Sequence, residues 1–161
     1  LNLVMAGPYI ATKRLESGEV VTPEDTVDSN RRSLYLNQKR TQFVSFLTVF
    51  DAPSIVFNSV RRNTSTMSLQ SLSLLNSDFA VRRARAAASR LQIQTLDARN
   101  RLALAFQCFY CREPDAGELT EAVGFLNQQE LLFSERPDAR SQAWQALCQS
   151  IRAARDFLYV E

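Results

Sequence analysis

The chain has 161 residues, 45% of them hydrophobic and 22% charged, with a formal net charge of +2. That length fits one domain with a core of its own, and the balanced charge excludes a disordered chain or a nucleic-acid tail. Histidine is absent, which removes the Ser-His-Asp triad, the Cys-His pair, the His-ligated haem and the usual zinc site with histidine.

Other negatives narrow the field further. Only 4 glycines and 5 prolines favour helix over a turn-rich β architecture. Three cysteines, Cys108, Cys111 and Cys148, are too few and odd in number for a disulfide framework. No apolar run reaches about 18 residues, the length a membrane helix needs. The start, Leu1-Asn2-Leu3-Val4-Met5, has no basic leader and no initiator Met. It reads as the edge of a piece cut from a longer protein.

In chain order, residues 1–41 read as extended. Pro8 lacks an amide donor and biases Gly7 away from helix. Ser17-Gly18 is a turn signal between Tyr9–Arg14 and Glu19–Val21, which predicts a hairpin. A polar loop follows from Thr22 to Asn30. Arg32–Arg40, around Leu34, Tyr35 and Leu36, is the best remaining strand, although its alternation is imperfect.

Residues 42–161 switch to helical period. Phe43, Phe46, Leu47 and Phe50 form one face of a short helix, which Asp51-Ala52-Pro53 stops. Ile55-Val56-Phe57 is extended or coil. Thr64, Ser65, Thr66 and Ser68 are competing N-caps for a helix that turns Leu69, Leu72, Leu75 and Phe79 inward. Asn76-Ser77-Asp78 predicts a break. The helix resumes through Val81, Ala84, Ala88 and Leu91. Thr95 or Asp97 starts the next, with Leu102, Phe106 and Phe109 on its core face. Asp115 and Glu118 make a capping box for a helix buried through Leu119, Val123, Leu126 and Phe133. Pro137-Asp138 opens the last, lined by Trp144, Leu147, Ile151 and Leu158 and ending in an apolar tail that docks on the core. The expectation is one mainly α domain over 1–161, about five helices with a small N-terminal β-hairpin.

Charge is uneven. All but Lys13 and Lys39 of the 19 basic residues are arginine. Arg61 to Arg101 holds eight arginines against two aspartates, and Glu113 to Glu161 holds nine acids against four arginines. A basic helix beside acidic ones is the plain reading. An anionic ligand on the basic segment is the sharper one.

The polar residues that carry most information are the doublets Arg31-Arg32 and Arg61-Arg62, with Asp51, Gln70 and Asn76. Guanidinium forks grip sulfate, phosphate or carboxylate bidentately, and helix-start amides add to such a site. The reading that weighs more has the same residues as internal struts, with Asp51, Gln70 and Asn76 tying loops together. Cys108-Phe109-Tyr110-Cys111 has C-x-x-C spacing but sits at a helix C-terminus, the wrong end to lower a thiol pKa. Its spacing reads as incidental, with a structural disulfide or a redox role as the minor alternative. Paired carboxylates are not placed by any local motif, and no nucleic-acid-binding motif is present.

Several blocks together resemble a known family. They are Arg31-Arg32-Ser33-Leu34-Tyr35-Leu36 with Lys39-Arg40-Thr41, Phe50-Asp51-Ala52-Pro53-Ser54, Arg61-Arg62 with Ser65-Thr66 and Leu69 to Asn76, Arg112-Glu113-Pro114 with Glu118-Leu119, and Trp144 with Phe157-Leu158-Tyr159-Val160. From about Gly7 onward the chain resembles the C-terminal domain of unknown function of planctomycete-type, cytochrome-c-associated proteins. The resemblance implies a large multidomain protein exported to the periplasm or beyond, with haem c on an upstream domain and none in this chain. It implies upstream domains as packing partners and, by association only, a link to acidic or sulfated polysaccharide degradation. It implies no catalytic residue, and it places glycine where this chain has Cys111.

Overall fold

The computed structural model describes residues 8–22, 31–53, 60–61, 65, 68–94 and 97–158. Mainly helical, it carries a small N-terminal two-stranded antiparallel sheet, as the sequence predicts. The chain divides into two compact units, residues 1–66 and 67–161. The polar loop over Pro23–Asn30, Ile55-Val56-Phe57, Arg62, the caps Thr64 and Thr66, and Thr95 lie outside the described residues.

In the first unit the hairpin forms where Ser17-Gly18 requires it. β1 (Lys13–Arg14) pairs with β2 (Val20–Val21), with Lys13 opposite Val21 and Arg14 opposite Val20. Gly18 takes φ +86, a conformation that side chains rarely adopt. Its N–H donates to the Leu15 carbonyl at 2.9 Å, and the Leu15 N–H donates to Glu19 at 2.8 Å.

The strand expected over Arg32–Arg40 does not form. Ser33–Tyr35 is a 3-10 turn, closed by Tyr35 N–H on the Arg32 carbonyl and Leu36 N–H on Ser33. Three consecutive apolar residues cannot share one side of a strand, and here Leu34 is left 80% exposed. What survives of extended pairing there, among the described residues, is an antiparallel bridge between Lys39 and Gln42 and a parallel one between Ile10 and Leu36. The bonds of the parallel bridge run from Ile10 N–H to Tyr35 at 2.7 Å and from Asn37 N–H to Ile10 at 2.9 Å.

α1 (Ser45–Val49) is shorter than the expected 42–52. Phe46 and Phe50 meet at 4.8 Å between ring centroids, while Phe43 precedes the helix and is exposed. The stop comes at Asp51, which takes φ 55. Aspartate tolerates this left-handed region better than most side chains, so the helix ends before Pro53 can forbid it.

The second unit is a bundle built on α6. It holds α2 (Ser68–Asn76), α3 (Asp78–Gln94), α4 (Ala98–Tyr110), α5 (Ala116–Leu132), α6 (Ala139–Ala153) and the short α7 (Arg155–Leu158). α6 packs against α5, α3 and α2. Alanines at 80, 84 and 88 let α3 come close to its neighbours, and Leu91 completes the row. Trp144, Leu102 and Cys148 are the largest fully buried side chains of the core.

Local signals set most of the boundaries. Ser77 interrupts the chain between α2 and α3, and its hydroxyl accepts from Ala80 N–H at 3.3 Å. Asp97 caps α4 through Asn100 N–H at 3.0 Å. Asp115 and Glu118 form the expected capping box on α5. α4 ends at Cys111, which takes φ 57 and still donates its N–H to Gln107. Glycine occupies such a left-handed position without strain, whereas here a residue with a side chain takes it.

Three expected faces differ. Leu69, Leu72 and Phe79 are exposed, and α2 instead buries Gln70 and Leu74. Leucines at 69, 72, 74 and 75 cover more than one side of a helix, so periodicity alone cannot choose between them. On α5, Val123 is exposed and the buried positions are Ala122 and Leu126, because small Ala122 lets α5 approach the core closely. The last helix breaks at Ala154 rather than running on to Leu158. Phe157 of the tail lies edge-on to Phe109 at 6.1 Å, and Tyr159 and Val160 lie outside the described residues.

Candidate functional site

The polar residues singled out in the sequence fall in different places. Arg31, Arg32, Asp51 and Arg61 belong to the first unit, and Gln70 and Asn76 to the second. Gln70 is buried on α2, and Asn76 is its exposed last residue.

Arg31 is 8% exposed. Its Nη1 donates to the Pro8 carbonyl at 2.7 Å, and its guanidinium lies 3.8 Å from the centroid of the Tyr35 ring. A hydrogen bond and a cation–π contact hold this charge inside the unit. Arg32 and Arg61 are exposed. Asp51 Oδ2 accepts from both the N–H and the hydroxyl of Ser65, at 2.7 and 2.6 Å. Ser65 therefore ties the carboxylate to the chain ahead of α2, a role its reading as an N-cap did not foresee.

Beside Asp51 a hollow of about 220 Å³ is lined by Gln38, Phe43, Val44, Leu47, Thr48, Ala52 and Pro53. No carboxylate or guanidinium lines it. The Thr48 hydroxyl donates to the Val44 carbonyl at 3.3 Å. Its lining is mainly apolar, with Gln38 and Thr48 as the polar members.

The second unit holds polar centres that the sequence reading missed. Arg112, between α4 and α5, grips Glu118 with both ends of its fork at 2.7 and 2.6 Å and also reaches Asp156 at 2.8 Å. Its guanidinium lies 5.3 Å from the Tyr110 ring centroid and 5.7 Å from that of Phe106. Glu118 Oε2 accepts from Asp115 N–H as well, at 2.8 Å. The Arg112 hydrogen bond holds the Glu118 carboxyl below its usual range, and the two carboxylates raise Arg112 in turn. One guanidinium thus ties α7 and the start of α5 to the end of α4. The block Arg112-Glu113-Pro114 with Glu118 was the available signal.

Two arginines are buried in the helical core. Arg101 lies 4.9 Å from the Trp144 ring centroid, and burial pushes its pKa down. Arg152 donates from Nη1 to the Ala80 carbonyl at 2.6 Å, and burial again lowers its pKa. Arg31, Arg101 and Arg152 are therefore internal scaffolding. Cys108 and Cys111 are exposed free thiols, while Cys148 is buried and its thiol is pushed up to about 12, chiefly by desolvation. That buried thiol is inert at neutral pH.

Among the described residues no group of three or more Cys, Asp or Glu is placed to hold a metal ion, and no helix is long and apolar enough to cross a membrane. Compared with known families, residues 1–126 match the model of PSD1, a protein of unknown function (DUF1553). The chain belongs to the PSD1 family. No curated protein and no solved structure matches it.

The PSD1 match spans the first unit and α2 to α4, and it stops at Leu126, inside α5. The core residues Trp144, Leu147 and Ile151 of α6 lie beyond it. The matched helices of the second unit thus bury their apolar faces against a helix outside the matched segment. Arg112 and Glu118 fall inside the match and Asp156 outside, so the clamp also joins the two parts.

Proposed function

We propose that this PSD1 chain is an accessory domain of a large exported, cytochrome-c-associated protein, packed against domains upstream of it. Leu69 and Leu72, one turn apart on α2, carry the packing part of this reading. They are 45% and 52% exposed, although a leucine pair at this spacing on a short helix favours a covered face. Of the doublet arginines Arg31 supports a scaffolding role, being buried and engaged within its own unit, and Arg101 and Arg152, outside the doublets, do the same in the helical unit. Haem c belongs on an upstream domain in this reading, because the chain has no histidine for an axial ligand. The place of action is the periplasm or the cell exterior.

Hydrogen–deuterium exchange on the full-length protein tests the packing. The amides of α2 are expected to exchange more slowly in the full-length protein than in residues 1–161 alone, and the full-length protein is expected to show covalent haem absorption. Equal exchange in both would remove the packing role. Absent haem absorption would remove the cytochrome association.

A second reading is binding of acidic or sulfated polysaccharide through an Arg-rich site in the first unit. The exposure of Arg32 and Arg61 favours it, since guanidinium forks open to solvent suit sulfate and uronate.

A further inference from the structure

The outward side of α3 has a different character from the arginine doublets. Arg85, Ala86, Ser89, Arg90 and Ile93 are all exposed, and beyond Asp78 the helix has no acidic residue to its end at Gln94. At about 100° of turn per residue, Ala86 and Ser89 lie between Arg85 and Arg90. The result is a shallow strip floored by small side chains, with a guanidinium on either side. The two arginines are about 7.5 Å apart along the axis. Arg85 Nε donates to Gln145 Oε1 at 3.1 Å, which fixes the direction of its fork. The opposite side of the helix, at Ala80, Ala84 and Ala88, is buried in the bundle.

We propose that this strip of α3 docks an anionic polysaccharide, with Arg85 and Arg90 gripping its sulfate or carboxylate groups and Ser89 reaching a sugar hydroxyl. The proposal draws on the polysaccharide reading for its class of partner but moves the contact to the second unit. Charge complementarity selects a polyanion, because the strip carries one sign of charge with no counter-charge of its own. Guanidinium forks suit the sulfates or carboxylates of such a chain. Nucleic acid fits less well. The strip has no aromatic ring for base stacking, and the sequence carries no nucleic-acid-binding motif.

The test is calorimetric titration of the full-length protein with heparin at low salt. The arms are wild type, the double variant Arg85→Gln/Arg90→Gln and the double variant Arg32→Ala/Arg61→Ala, each checked for fold by circular dichroism. Wild type is expected to bind, with an affinity that falls as salt rises. Arg85→Gln/Arg90→Gln is expected to weaken binding at least about tenfold, the size of one lost charge-assisted contact. Arg32→Ala/Arg61→Ala is expected to leave it unchanged. Loss of binding only in Arg32→Ala/Arg61→Ala would uphold the first-unit reading and overturn this one. No binding by wild type, equal binding of desulfated heparin, or tighter binding of duplex DNA or anionic vesicles would overturn it as well.

Discussion

Trp144→Ala is expected to lower the unfolding free energy of the helical unit by about 3–5 kcal/mol, the range for emptying a buried aromatic site. Trp144 is 1% exposed and sits on α6, against which α2, α3 and α5 all pack. Truncation removes its apolar area and leaves a void that helices held by alanine contacts cannot fill, because those helices are already close. It also strips the buried Arg101 guanidinium of the ring 4.9 Å from it. Urea unfolding followed by far-ultraviolet circular dichroism measures the loss. Trp144→Phe should retain most of the packing and lose about 1–2 kcal/mol. A loss below about 1 kcal/mol for the alanine variant would mean that α6 is not the centre of the bundle.

Arg152→Ala is expected to destabilise the same unit by about 3 kcal/mol, from a lost charge-assisted hydrogen bond and lost packing of the stem. Arg152 is 7% exposed and links the end of α6 to the Ala80 carbonyl in the first turn of α3. Removing the donor leaves that carbonyl without this partner at a buried site. Arg152→Met separates the two contributions. It fills the space of the stem and lifts the desolvation penalty of the charge, so its loss should be smaller, about 1 kcal/mol. Equal and negligible effects in both variants would show that Arg152 is a tolerated passenger. The same urea titration reads both.

These arginines mark where the sequence stopped being legible. The helices themselves were readable, because their signals are local. Asp97 and Asp115 with Glu118 cap their helices through bonds three residues long, and Ser77 breaks the chain within one turn. The hairpin was readable for the same reason, through Gly18. Packing faces were harder. Leu69 and Leu72 looked buried because leucines are, yet the helix had leucines to spare and buried Gln70 and Leu74 instead. The strand expected at Arg32–Arg40 became a 3-10 turn because Leu34, Tyr35 and Leu36 do not alternate.

The candidate site was harder still. An arginine in sequence is a surface residue by default. Buried, Arg31, Arg101 and Arg152 meet a proline carbonyl, a tryptophan ring and an alanine carbonyl at distant positions in the chain. No periodicity announces such partners. The Arg112 clamp with Glu118 and Asp156 likewise joins residues 44 positions apart at its longest reach.

The clearest test of an accessory role is a glycan array with the full-length protein, comparing wild type with Arg32→Ala and Arg61→Ala. Both arginines are exposed in the first unit, so their loss should not disturb folding. An accessory PSD1 domain whose exposed doublet residues hold no ligand predicts the same glycan profile for wild type and both variants. Binding by wild type that either variant abolishes would contradict it and place the functional site at the arginine doublets.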